Sequence, residues 1–330
     1  MGPYLITGGT GLVGNYVTRE LVDRGLDADE IVVYDLYPNE EVIADIRDDI
    51  TLVRGDVTDP VQLFETFEAY RPRRVIHLAA YVAHRSREEP TEALRINAVG
   101  TNQLFDAARI TGVETCLFAS TASVYGTVDD YDWMDDPTVS ESDLVKPETP
   151  YAVTKYANEV MGRTYDETYD TNYAGVRIGG AWGRGRTAGA TGELNTFIRD
   201  AGLGNDVTVP PYWTMWDRIN LSYGKEVGRW FVEAVDTDSF VHHVYNQGNR
   251  DPYTVDRIVE TLEAIIPGIE ITRPDAATDE WDDALTNPQL DCSRWYDDLG
   301  LTQEWSVEEA VVDYVNDHRT EAGLEPVSLP

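Results

Sequence analysis

The residues best suited to do chemistry lie in Thr149-Pro150-Tyr151-Ala152-Val153-Thr154-Lys155, where a tyrosine and one of only three lysines stand four positions apart. That spacing puts both side chains on one face of a helix. Thr149 is a suitable N-cap and Pro150 suits the first helical position. A phenol, with a reference pKa near ~10, is a poor base at neutral pH. A neighbouring ammonium and a helix N-terminus both favour the phenolate, and lowering its pKa by about three units takes roughly 4 kcal/mol. The plain alternative is a surface pair on an amphipathic helix. Upstream, Phe118-Ala119-Ser120-Thr121-Ala122-Ser123-Val124-Tyr125-Gly126 leaves a strand through small hydroxyl residues. Thr121 can there share a reacting oxygen with Tyr151, the tyrosine moving the proton and the threonine orienting it.

A second chemical feature opens the chain. Thr7-Gly8-Gly9-Thr10-Gly11-Leu12-Val13-Gly14 follows an apolar run and precedes helical periodicity. In that context one glycine makes a tight turn, another admits a pyrophosphate, and a third lets helix pack on strand. Free N–H groups at the helix start attract the anion. Asp35 lies about 20 residues on, at the end of the second strand, where a carboxylate binds a ribose diol. No arginine follows immediately to offset its charge against a 2′-phosphate, so NAD is expected over NADP. Its oxidised nicotinamide would add a third positive influence on Tyr151. A mononucleotide P-loop is excluded, because Asn15 follows Gly14 where a lysine is required.

These features need elements to position them. Tyr4 to Thr7, Ile31 to Tyr34, Thr51 to Val53, Val75 to Leu78 and Thr115 to Ala119 read as strands. Val13 to Arg24, Val61 to Tyr70 and Ala93 to Ile110 read as the helices between them. Parallel strands need such crossovers, so the expected fold is α/β: a doubly wound parallel Rossmann sheet with a smaller, irregular α/β C-terminal lid. Residues 1–178, with strands near 218–248, would bind the dinucleotide; 179–217 and 249–330 would bind substrate. Helices return in the second half at Val227 to Val235, Val255 to Ile265 and Val307 to Arg319.

Composition narrows the function classes. The 330 residues carry 60 acidic and 26 basic side chains, a net charge of -34. Such a field repels a nucleic-acid backbone, and no basic stripe offsets it. The acidic residues are dispersed, which reads as a salt-adapted surface. No apolar run reaches the length of a membrane span and no secretory leader is seen at Met1, so a cytoplasmic location is expected. Cys116 and Cys292 lack CxxC partners and no metal site is indicated.

Together the motifs resemble the extended short-chain dehydrogenase/reductase superfamily, specifically the NAD-dependent epimerase/dehydratase family, over nearly the whole chain. The resemblance adds a cofactor role for Gly8, Gly11, Leu12, Val13 and Gly14. It also implies Asp56 and Val57 at the adenine, Leu78, Ala79 and Ala80 as a cofactor wall, and Asn97 on the following helix. Thr121 matches the catalytic Ser/Thr, and Tyr151 with Lys155 the Tyr-x-x-x-Lys. Val176-Arg177, Tyr245-Asn246 and Leu290-Asp291 with Ser293 match later landmarks. A homodimer through Ala93 to Ile110 and Pro150 to Thr168 is implied as well.

The chain also departs from the family pattern. Gly180 stands where nucleotide-sugar enzymes have asparagine, and Arg218 alone remains clear from a longer substrate motif. Arg218 either clasps a diphosphate or forms a surface ion pair. Tyr212, Trp213 and Trp216 either stack on a sugar or pack the lid. Ala122 and Ser123 replace the Asp-Glu pair of the family's dehydratases, which disfavours dehydration. Three readings follow: an epimerase acting on a sugar or nucleotide sugar, an NAD-dependent dehydrogenase with net NADH release, or a non-catalytic NAD-binding regulator.

Overall fold

In the computed structural model, residues 2–135, 138–169, 171–185, 190–209, 221–273 and 287–330 are described. Seven parallel strands form the central sheet: β1 (Tyr4–Thr7), β2 (Ile31–Asp35), β3 (Thr51–Arg54), β4 (Arg74–His77), β5 (Thr115–Thr121), β6 (Asn172–Ile178) and β7 (Val244–Gln247). Their order is β7-β6-β5-β4-β1-β2-β3. The order reverses between β1 and β4, which pair with Thr7 opposite His77. In an open α/β sheet the ligand crevice forms at that switch point, outside the carboxyl ends of the strands.

Except for the edge strand β3, the strands are buried on both faces, as their β-branched composition requires. One face packs on α1 (Leu12–Asp23) and α7 (Gly224–Val235); the other packs on α2 (Pro60–Tyr70), α4 (Thr101–Thr111) and α5 (Pro150–Thr168). A separate apolar core joins α6 (Ala190–Gly202), α8 (Val255–Ile265) and α9 (Val307–Glu321) around Trp182, Leu262 and Tyr314. No helix among the described residues is long and apolar enough to cross a membrane.

Two segments differ from the sequence expectation. Leu221–Tyr223 does not extend the main sheet; it pairs in parallel with Gly180–Trp182 to make a two-stranded sheet beside it. The stretch from Ala93 to Ile110 is not one regular helix, because Leu94–Gly100 is π-helical before α4 begins. The widened turn leaves the Asn97 carbonyl to accept from the Thr101 hydroxyl at 2.5 Å and from the Asn158 amide at 2.8 Å. Such π segments accompany functional sites, because one extra residue redirects the side chains of a turn.

α5, which carries Tyr151 and Lys155, is tied to the sheet by buried polar groups. Arg177 on β6 grips Glu159 on α5 through Nε at 2.9 Å and Nη2 at 2.7 Å, and both side chains are 4% exposed. The remaining Arg177 nitrogen donates to the Tyr125 hydroxyl at 2.6 Å, and Ser120 donates to Glu159. Removing one member leaves the other charge buried without compensation, a change worth roughly 3–5 kcal/mol, whereas replacing both with apolar groups is far milder. Arg177→Met should therefore lose about that much stability in equilibrium urea unfolding, and adding Glu159→Leu should recover most of it. A loss below about 1 kcal/mol for Arg177→Met would contradict this role.

Candidate active site

The glycine turn is held by backbone bonds. Gly8 N–H donates to Tyr34 O at 2.9 Å and Gly11 N–H to Gly8 O at 3.0 Å, after which α1 begins at Leu12. Gly8 has φ +68°, and a Cβ there would sit 2.8 Å from the Ala79 nitrogen. At Gly14 a Cβ would lie 2.1 Å from Gly8 O, so only glycine lets α1 approach the turn this closely. These are the tight-turn and close-packing demands of a dinucleotide cradle, and the residues present fit NAD. At the end of β2, Asp35 accepts from the Thr10 hydroxyl at 2.7 Å and the Tyr37 N–H at 3.2 Å, which fixes its carboxylate beside the turn.

On the other side of the switch point, β5 ends at Thr121. Its hydroxyl oxygen accepts from Ser123 N–H at 3.2 Å, capping the short helical turn Ala122–Tyr125. Across the cleft, α5 starts as its sequence directs, with the Thr149 side chain accepting from Ala152 N–H at 3.1 Å and Pro150 in the first turn. Tyr151 and Lys155 share one face of that helix, and Lys155 Nζ lies 5.7 Å from the Tyr151 ring centroid. Lys155 is 1% exposed and donates to Ala119 O at 2.8 Å. Burial lowers its pKa from the ordinary lysine range to about 8, because desolvation penalises the charged form. Nearby, His77 is bridged between the Thr7 hydroxyl at 2.6 Å and the Thr101 hydroxyl at 2.9 Å. Burial, reinforced by the Lys155 charge, pushes its pKa down to about 3, so the imidazole is neutral.

One cavity of about 760 Å³ runs past the glycine turn, Asp35, Thr121, Tyr151 and Lys155. Gly8, Gly11, Leu12, Val13, Gly14 and Asp35 line it at one end, and Asp56 and Val57 line it nearby. Leu78, Ala79 and Ala80 lie midway along the sheet edge, and Thr121, Tyr151, Lys155 and Gly180 complete the lining. Asp56 is partly committed elsewhere, since its Oδ1 accepts from both the N–H and the hydroxyl of Thr58 at 2.8 Å each.

Asn97, expected at the cofactor, is fully buried and is not among the residues that line the cavity. Its side chain instead bonds both ways to the Tyr81 backbone, accepting at 2.7 Å and donating at 3.0 Å, and it reaches Thr154 on α5 at 3.2 Å. It therefore fixes the segment after β4 against the Tyr151 helix, one layer behind the cleft. Arg218 and Trp216, with Tyr212 and Trp213, lie outside the described residues. Sequence reasoning missed other lining residues. His84 and Arg85 open α3 (Ala83–Glu88), while Thr191 and Asn287 come from distant segments. Only the position of His84 and Arg85, just beyond His77-Leu78-Ala79-Ala80, offered a signal.

The UDP-glucose 4-epimerase of Corynebacterium glutamicum is 28% identical over 279 residues, covering 79% of this chain and 79% of that protein. Among solved structures, UDP-glucose 4-epimerase of Thermotoga maritima superposes with a TM-score of 0.80 at 22% identity, covering 97% of this chain and 99% of that one. An L-threonine dehydrogenase of Clostridium difficile reaches 0.82 at 20% identity over 98% and 99%. The last two establish a shared fold across enzymes that differ in substrate. The family model described as "NAD dependent epimerase/dehydratase family" matches residues 4–248, spanning the glycine turn, the β5 hydroxyls and the Tyr-Lys helix alike. The chain thus belongs to the NAD dependent epimerase/dehydratase family and is an enzyme whose cofactor is NAD.

Proposed function

We propose that the protein oxidises a secondary alcohol carbon of a sugar or nucleotide sugar and acts as an epimerase, with Tyr151, Lys155 and Thr121 as the catalytic residues. One observation carries this reading: a phenol on the first turn of α5 lies 5.7 Å, ring centroid to Nζ, from a buried lysine in the cavity that begins at the glycine turn. NAD, held by the turn Gly8 to Gly14 and by Lys155, would supply the hydride acceptor for the carbinol carbon and the hydride donor for the ketone. Tyr151 Oη takes the proton from the substrate hydroxyl. Thr121 donates a hydrogen bond to the same oxygen, its hydroxyl being fixed by the Ser123 backbone. Lys155 keeps one ammonium donor on Ala119 O and offers the others to the nicotinamide ribose.

Magnitudes favour this division of labour. Two unit charges about 6 Å apart interact by about 3 kcal/mol at an effective dielectric of about 20, or roughly two pKa units. That is most of the shift Tyr151 needs, and the positive nicotinamide and helix N-terminus supply the rest. The substrate end of the described lining holds no carboxylate, since the acidic lining residues are Asp35 and Asp56. This supports epimerisation over water elimination. The kinship with UDP-glucose 4-epimerase supports a nucleotide sugar, while Gly180 keeps a dehydrogenase with net NADH release as the second reading.

A homodimer completes the proposal. Leu94 and Val99 on the π segment, and Val153, Val160 and Met161 on α5, are exposed on adjoining helices. A second copy would cover such a stripe, since apolar patches of this kind mark interfaces. Cys116 and Cys292 form no disulfide, which suits a reducing, cytoplasmic setting.

Four outcomes follow. Tyr151→Phe should lower kcat by about 10²–10⁴ with little change in NAD affinity. Lys155→Met should move the acidic limb of the kcat–pH profile upward, toward the ~10 of an unassisted phenol, because removing a cation raises the pKa of a neighbouring acid. A Tyr151→Phe enzyme with undiminished turnover would refute the base, and stoichiometric NADH without an epimeric product would replace epimerase by dehydrogenase. Gly8→Ala, forced into a left-handed backbone against Ala79, should weaken NAD binding at least about tenfold in calorimetry while the unfolding transition persists. Val160→Asp should turn a dimer into a monomer in sedimentation velocity, and a monomeric parent protein would contradict the interface.

A further inference from the structure

The charges along the cavity are sorted by sign. Among the described lining residues the carboxylates are Asp35, at the end of β2, and Asp56, just beyond β3. In the sheet order, β2 lies three strands and β3 four strands from β5, whose end carries Thr121. At a strand spacing of about 4.8 Å this separates the two acids from Thr121 by roughly 14–19 Å. That distance exceeds the Debye length of about 8 Å at physiological ionic strength, so neither acid sets the potential where substrate reacts. The same screening mutes the remote carboxylates behind the overall charge of -34.

The other end carries the opposite sign. His84 and Arg85 stand in the first turn of α3, which follows the Leu78–Ala80 wall and packs on α5, the helix bearing Tyr151. Both residues are exposed and both line the cavity. Exposed arginines of this acidic chain commonly hold a carboxylate, as Arg95 does Glu92 and Arg71 does Glu68. Arg85 forms no ion pair or side-chain hydrogen bond with any described residue, and neither does His84. Neither of the two acids that follow Arg85 in the chain, Glu88 and Glu89, pairs with it, and the Tyr81 hydroxyl donates to Glu89. An arginine left unpaired at a cleft mouth offers a planar fork of donors that matches a carboxylate or phosphate in two parallel bonds.

Building on the proposed oxidation of a sugar alcohol, we infer that the sugar part of the substrate carries an oxyanion of its own, a carboxylate or a phosphate, and that Arg85, assisted by His84, binds it. Arg85 is then a specificity-determining residue: it touches the non-reacting end of the substrate and selects charged sugars over neutral ones. A neutral sugar would leave the Arg85 guanidinium at the cleft without an anion to bind. A hydrogen-bonded charge contact of this kind corresponds to about tenfold to a hundredfold in affinity.

The test uses the NAD-loaded protein and sugars that differ only in the charged group: glucose, glucose 6-phosphate and glucuronate, with UDP-glucose against UDP-glucuronate. Turnover is read as NADH or epimer, and binding as heat. The expected result is a preference of about tenfold or more for a charged member, carried by KM. It should vanish in Arg85→Ala, persist partly in Arg85→Lys, and leave the neutral member unaffected. The phosphate and carboxylate arms separate the two sources of charge. Equal use of neutral and charged sugars by the parent protein would overturn the inference while leaving the alcohol oxidation standing. So would an Arg85→Ala variant that weakens UDP-glucose and UDP-glucuronate alike, because Arg85 would then be reading the diphosphate. If no sugar is turned over, the oxidation fails, and calorimetry still decides the inference: Arg85-dependent binding of a charged sugar supports it, and absence of such binding overturns it.

Discussion

Everything in this active site depends on keeping one ammonium group dry and charged. Lys155 is buried, which pulls its pKa down to about 8. At neutral pH it remains mostly protonated, but with only about one unit in hand. The Ala119 carbonyl at 2.8 Å holds the charge, and the Tyr151 ring centroid lies 5.7 Å away. A phenolate forming there would stabilise the ammonium in return, so the two titrations belong to the pair rather than to either residue. The desolvation that weakens Lys155 as a cation also strengthens every attraction it makes.

Much of the surrounding structure keeps that pair in place. Arg177, Glu159 and Ser120 lock the third turn of α5 to β5 and β6, next to Thr121 in the chain. Asn97 and Thr101 fasten the π-helical segment to α5 through Thr154 and Asn158. His77 completes the layer as a neutral imidazole between two threonine hydroxyls, adding no second charge beside Lys155. The buried polar groups behind the cleft thus set the position of a helix whose first turn does the chemistry. Across the sheet, the glycine turn does the same for the cofactor by steric exclusion, with no side chain at the points of closest approach.

What could be read from the sequence was what local geometry dictates. The glycine turn, the acid ending β2, and the Tyr-Lys pair behind an N-cap and a proline are each encoded within a few residues, and the structure forms those turns where the spacing puts them. What could not be read arises from packing between distant segments. Glu159 and Arg177 resemble surface charges in a chain rich in them until the sheet buries them against each other. Asn97 sits on a helix whose register shifts through a π turn, so its side chain faces a backbone rather than the cleft. Leu221–Tyr223 has the composition of a sheet strand but meets Gly180–Trp182 first. His84 and Arg85 belong to no periodic pattern, and only the cleft around them gives them meaning.

The central claim is that Tyr151 ionises far below an ordinary phenol because Lys155 stands beside it. Ultraviolet difference titration of tyrosinate tests it with little interference, because burial raises the pKa of many other tyrosines, Tyr131 and Tyr165 to about 12 among them. In the NAD-bound protein the account predicts one tyrosinate appearing well below pH ~10. That signal should be absent in Tyr151→Phe and shifted upward in Lys155→Met. A titration in which no tyrosine ionises below ~10, or in which the early signal survives Tyr151→Phe, would contradict it.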